Sequence, residues 1–481
     1  MSAVYDPSSG GRRPARTSML RQELQLLRRE GLAHWALIAL TLLLVTAALN
    51  ARALLDVQAR TAAALEDEAA ETTRALAAQA ARGVATATSP GGVGYSVLTK
   101  PVVLPTAALG ALAVGQSELL PAWYSVTARG AHLFLTRNEP DNPLRLAVGN
   151  FDPAFVIIWL LPLVVIALSF NVVSAERERG VLALALAAGV NPAGFILGKV
   201  VARALLVFVS LWIALLAAAF AAGIPLAFAG GVLPLLLWSA IATLYAAFWF
   251  ALALFVNSRP RASDRNAGLL AGAWLVLVVL LPALTHLAAT TVFAAPSRVA
   301  LTTELREASE TADRAAAEAR DRYFFDHPEL KGDNADRSAY FRSVAESEVS
   351  IATAIAPRLA QFEVQAQRQQ DLVEVLQFLS PATMTWQSLT ALAGSDGARH
   401  REFRGQTIAF HERWSAFFRE PLLRGATLTP MAYAALPQFE FNEPPLSRTL
   451  PRVLPVLAAL LLVSLLLGTV SVWRLRRFPI V

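Results

Sequence analysis

The sequence contains no cysteine, so neither disulfide staples nor thiolate metal sites are open to it. Lysine is nearly missing: Lys100, Lys199 and Lys331 are the lysines, and arginine carries the rest of the positive charge. The histidines, His34, His132, His286, His327, His400 and His411, are scattered without metal-ligand spacing. A phosphate-binding loop is absent as well. The nearest approach, Ala193 to Val200, has Ala193 where glycine is required, and no Ser or Thr follows Lys199. No Ser/His/Asp set or carboxylate pair can be assigned to one pocket. The chain is therefore expected not to be an enzyme, and to carry no cofactor or metal of its own. Charge is also missing over long stretches. From Ala204 to Ser258 there is no Asp, Glu, Lys or Arg, and the spans hold essentially no ionisable group beyond His286. Ion-coupled transport normally needs such groups inside the membrane, which argues against a proton- or ion-driven carrier.

What is present is apolar length. The chain has 481 residues, 55% of them hydrophobic, with a mean hydropathy of +0.47. Runs of about 20 uncharged residues, enough to cross a bilayer, account for that value. The fold class expected is mainly α: a six-helix polytopic membrane protein with two external regions, the second helix-rich. Residues 1–30 read as a cytoplasmic arm, with Met19 to Glu30 either an amphipathic surface helix or an extension of the first span. No convincing cleavage site marks the arm as a signal peptide. The spans are placed at 31–49, 153–173, 201–222, 232–256, 267–289 and 453–473. The first external region is 50–152, with helix over 53–82 and an irregular, partly extended remainder that includes β-like runs such as Ala131 to Thr136. A cytoplasmic coupling segment occupies 174–199 and a basic loop 257–266. The second external region is 295–450, and the tail is 474–481. Within 295–450, two long helices separated near Tyr323 to Asn334 are expected to form an antiparallel hairpin. Residues 299–379 are expected to pack against 53–82.

Charge orients this plan. Segments 1–34, 174–203, 257–266 and 474–481 are each net positive, whereas 51–152 and 295–448 are net negative. Basic short loops remain in the cytoplasm, so both termini are expected there and both large regions outside. The isoelectric point of about 9.9 then reflects topology, and no nucleic-acid partner is implied. The best candidate site is the charged excursion Glu176, Arg177, Glu178, Arg179 and Gly180 between the second and third spans. Ser174 is a candidate helix cap, which would put Glu176 and Glu178 in a first turn, where the exposed amides favour carboxylates. Asn191-Pro192 would end that short helix before the third span. The plainer alternative is an exposed charged turn, in which each charge contributes about 0–1 kcal/mol.

Glu-x-Glu-x-Gly at 176–180, followed by Asn191-Pro192 and then Gly198-Lys199, resembles the signature of ABC-2-type transporter permeases, although Val181 stands where that family has Thr. Asn142-Pro143-Leu144 before Gly149 to Asp152, the Phe324 to Leu330 segment, and Leu379-Ser380-Pro381-Ala382 leading to Gly394-Ser395-Asp396 resemble the DUF3526 subgroup. The resemblance implies a type V, ABCG-like transmembrane domain, with a surface helix before the first span and a coupling helix between the second and third. It implies a separate ABC ATPase partner that holds the ATP and magnesium, and a second permease subunit, identical or not. It also implies a bacterial inner membrane, with the large regions periplasmic. The function expected is the permease subunit of an ATP-driven exporter. The alternative is a mechanotransmission or scaffold protein, in which ATPase strokes move the external helices against an envelope partner and no substrate crosses.

Overall fold

A computed structural model describes residues 31–115, 117, 120–131, 151–187, 191–225, 231–293, 298–326 and 333–477. The N-terminal arm and its surface helix, the run 132–136, the Asn142 to Asn150 motifs, the His327 to Lys331 segment and the extreme C-terminus lie outside the described residues. Among the described residues six helices are long and apolar enough to cross a membrane and there is little strand, so the protein is a mainly α, multi-pass membrane protein. In chain order the main elements are α1 (Gly31–Ala81), strands β1 (Lys100–Val103) and β2 (Trp123–Val126), and α2 (Pro153–Glu178). Then come α3 (Val181–Ala187), α4 (Pro192–Ala221), α5 (Leu233–Asn257) and α6 (Ser263–Val292). They are followed by α7 (Arg298–Asp326), α8 (Asp333–Leu376), α9 (Pro381–Ala393), α10 (Gly397–Arg424), α11 (Pro430–Ala434) and α12 (Leu446–Arg476).

Helix α1 joins two stretches that the hydropathy pattern separates. No Gly or Pro interrupts the chain from Leu32 to Arg82, so the apolar span and the Ala-rich, Asp/Glu-bearing continuation form one 51-residue helix. At 1.5 Å per residue it is about 75 Å long, more than twice the roughly 30 Å of a bilayer core. It ends where Gly83 turns the chain at φ +72°. In the bundle, α4 packs along α1, and α5 sits centrally against α2, α4, α9 and α12. Trp238, Tyr245 and Trp249 of α5 are fully buried. Helices α2 and α6 each contain a π turn, Val156–Leu160 and Leu275–Leu280, two residues before Pro162 and Pro282. A proline that cannot donate its amide leaves the preceding carbonyls free to re-pair at longer spacing. The two helices meet beside these turns: Trp274 Nε1, just before the second, donates to the Trp159 carbonyl at 3.3 Å.

The described parts of the two large regions, apart from residues 377–393, stand at one end of the bundle and share one core, here called the extramembrane domain. Its core brings Leu76 and Ala80 of α1 together with Tyr95, Tyr124 and Val126, and with Phe403, Phe410, Trp414 and Phe418 of α10. Strands β1 and β2 pair antiparallel, with Val102 opposite Tyr124. Glycine is required where side chains approach closest: a Cβ on Gly94 would stand 2.4 Å from Phe418, and one on Gly91 2.3 Å from Phe341. Asp152 joins this domain to α2. Its carboxylate accepts from Phe155 N at 2.7 Å, capping the helix, and from Val114 N at 2.8 Å. Burial pushes its pKa up to about 6 against the pull of these amides.

Helices α7 and α8 form an antiparallel hairpin, held by Ala312, Ile351 and Ile355 and by the Arg358–Glu304 ion pair at 3.0 Å. Its main contacts differ from the expected packing along 53–82. The hairpin meets the first region through Phe341 against Gly91 and through Glu348, which accepts from Gly130 N at 2.9 Å. Among the described residues outside the bundle, α11 and β1 pack on α1. A second difference concerns residues 377–393, expected among the external residues. After α8 descends along α6, a 3₁₀ turn at Gln377–Leu379 brings Ser380 to the Leu277 carbonyl, near the midpoint of α6, at 2.6 Å. Helix α9 then climbs back out, burying Ala382, Leu389 and Leu392 in the bundle core and Met384 against Val456 and Leu460 of α12. The segment is re-entrant. Val375 to Ser395 carry no charge, and Pro381 in the middle starts a new helix instead of continuing the old one.

Candidate coupling site

At the bundle end opposite the extramembrane domain, α2 finishes in the turn Ser174–Glu178. The expected cap is not realised: the N-cap is Val173 without a side-chain bond, and the Ser174 hydroxyl instead meets Ser263 Oγ at 2.8 Å. Of the charged residues that follow, Glu176 and Arg177 are half-buried, and Glu178 and Arg179 are exposed. Glu176 Oε1 receives Lys199 Nζ of α4 at 2.8 Å, with the two side chains only 17% and 12% exposed. The Lys199 ammonium also stands over the Phe195 ring. Glu178 accepts the Ser263 amide at 2.9 Å and the Ser263 hydroxyl at 3.0 Å. No side chain from the α6 strand of sequence caps that helix, so Glu178 does so from another element, where the helix dipole favours a carboxylate. Arg177 Nη2 donates to the Arg261 carbonyl at 2.7 Å. Deeper in, Asn257 donates to the Ser169 carbonyl at 3.1 Å and accepts from Asn266 at 3.2 Å.

Three residues of the candidate set thus tie α2 to the neighbouring helices: Glu176 to α4, Glu178 to α6, and Arg177 to the α5–α6 loop. Arg179 is exposed, and Gly180 turns the chain at φ +74° with open space where a Cβ would stand. Beyond it α3 projects from the bundle, with Val181 39% and Leu184 72% exposed. Asn191 does more than stop a helix: its Oδ1 accepts from Ala193 N at 3.0 Å and so caps α4, with Pro192 in the first helical position. The third span's helix consequently starts at Pro192, and Gly198 and Lys199 lie within it. Exposed Arg179, Arg259, Arg265, Arg476 and Arg477 make this end of the bundle basic. A partner suited to it would offer an apolar notch for α3 with carboxylates around it. The outward apolar residues Val181 and Leu184 were hidden from the sequence reading by the neighbouring charges. Their signal is the uncharged run from Val181 to Val190 just after Gly180.

Among the described residues, no three His, Asp or Glu side chains gather as metal ligands. Residues 298–442, which comprise α7 to α11 with the re-entrant helix, match the family described as a Domain of unknown function (DUF3526). The fold defines a mainly α, multi-pass membrane protein, and its residues 298–442 are similar to the DUF3526 family. No curated protein matches the chain.

Proposed function

We propose that this chain is the permease subunit of an ATP-driven ABC-2-type exporter, energised by a separate ABC ATPase that holds the ATP and magnesium. A second permease subunit completes the complex. It sits in a bacterial inner membrane with both termini cytoplasmic and the extramembrane domain periplasmic. The observation that carries this reading is the wiring of 174–187. A short helix with an apolar outer face stands on a turn that is bonded to α2, α4 and α6. A push on α3 would therefore move several spans together, as an external motor requires.

One feature favours a second use of the same motor. Helix α1 runs unbroken from the bundle into the core of the extramembrane domain, so a stroke can be delivered outward without any substrate crossing.

Leu184→Asp tests the coupling. Leu184 is mostly exposed, so the variant should express and melt like wild type, yet lose about tenfold or more of permease-stimulated ATPase activity. Unchanged stimulation by the folded variant would remove α3 from the coupling path. Uptake of a co-purifying small molecule by inverted vesicles separates export from mechanical work.

A further inference from the structure

A cavity of about 800 Å³ lies where the re-entrant helix α9 meets the outer half of α6, the end of α8 and the start of α12. That volume is in the range of pockets that enclose a single small molecule. The walls change character along its length. The inner part is formed by Pro282, Thr383, Trp386, Ser388 and Pro455, beside helices that cross the bundle. The outer part is formed by Asp371 and Glu374 of α8, Asp396, Arg401 of α10 and Arg452 of α12, and His286 of α6 also lines the cavity.

The charged part of the wall points to a ligand. At the outer end, groups of both signs face one space. Asp371 and Glu374 accept only from the neutral amides of Gln367 and Gln370, at 2.7 and 3.5 Å, and make no ion pair among the described residues. Arg452 is held by Asp396 at 2.6 Å but remains 37% exposed, and Arg401 is exposed beside it.

We propose that this cavity binds one zwitterionic amphiphile. Its tail lies along α9 and α6, its cationic group against Glu374 and Asp371, and its anionic group against Arg401 and Arg452. Arg452 keeps Asp396, but an uncharged amphiphile would leave Asp371, Glu374 and Arg401 without an ionic partner among the described residues. A singly anionic one would satisfy the arginines but place nothing against the carboxylates. The inference does not rest on the permease reading, and its test involves no ATPase.

The purified full chain, in an uncharged detergent, is irradiated with lysophosphatidylcholine carrying a diazirine at the end of its tail, and the label is mapped by mass spectrometry. The label is expected on residues 381–393 and on the outer half of α6, saturable, and displaced by unlabelled lysophosphatidylcholine. Lysophosphatidylglycerol, with its anionic head, should displace it about tenfold less well. Glu374→Lys and, separately, Arg401→Glu should each weaken saturation about tenfold. Glu346→Lys, on the exposed face of the hairpin, should leave it unchanged. Label spread over the lipid-facing surfaces and not displaced would mean annular lipid only and would overturn the proposal. Equal displacement by the anionic lipid, or unchanged labelling in Glu374→Lys, would overturn it as well.

Discussion

Reversing Glu176 and Glu178 to lysine should destabilise the bundle before any partner is considered. An exposed charged turn would tolerate the change at about 0–1 kcal/mol. Here the Glu176–Lys199 pair is 2.8 Å long, and its side chains are 17% and 12% exposed. Breaking a fully buried pair costs about 3–5 kcal/mol, so this partly screened one should cost about 2 kcal/mol. Glu178→Lys removes the cap on the α6 amides at Ser263 and sets a cation against a helix N-terminus, about 1 kcal/mol more at this exposed position. The double reversal should therefore cost about 3 kcal/mol, the sum of the two terms, because Glu176 and Glu178 bond to different partners, Lys199 and Ser263. Thermal unfolding of a fluorescent fusion, followed by size-exclusion chromatography, reads the loss as a melting temperature lower by several degrees. The exchange Glu176→Lys with Lys199→Glu should recover most of it, because the pair is restored with its ends swapped. A Glu176→Lys protein that melts like wild type, or a swap that recovers nothing, would refute the ion pair as a bundle tie. A loss of ATPase coupling in the glutamate reversals would then have to come from docking alone, which is why Leu184→Asp is the cleaner probe.

His400 should make the extramembrane domain acid-sensitive. It lies between Tyr124 and Phe403, and burial, with Arg404, Arg399 and Arg401 nearby, lowers its pKa to about 4. A depressed folded pKa means that the unfolded chain takes up the proton first. The stability is fully present above pH 6.5 and is lost as pH falls through about 4, by about 3 kcal/mol in all. His400→Phe should flatten that acid limb in a melting series, and an unchanged limb would exclude His400 as its source. Topology can be read by single-cysteine labelling, since the chain has no cysteine to remove. Cysteines at exposed Thr61 and Thr353 should react with an impermeant reagent in intact cells, and one at exposed Arg265 only after permeabilisation. Ser395, though it lies in the extramembrane domain, is 4% exposed and would be shielded. Labelling at Arg265 from outside would reject the proposed orientation.

Much of the architecture follows from one-dimensional facts. A bilayer demands long uncharged helices, so six apolar runs suffice to specify a mainly α, multi-pass protein. The helix composition of 298–379 and the break near Tyr323 to Asn334 likewise announce two helices before any packing is known. The charged cluster at 176–180 is visible because charges between two apolar runs are conspicuous. What those charges touch is not visible. Glu176 meets Lys199, 23 residues on, and Glu178 caps a helix that starts 85 residues later. Such pairings depend on how helices lie side by side, and no periodicity along one helix encodes them. The same reason hid the re-entrant helix. Val375 to Ser395 are as uncharged as a span, but whether such a run crosses, lies flat or turns back depends on Pro381, on the Leu277 carbonyl that receives Ser380, and on the space left between α5, α6 and α12. Sequence alone determined which segments must avoid water. Tertiary packing decided where the chain doubles back, which carboxylates face inward and where a cavity remains, because each of these is a property of surfaces from distant segments brought into contact.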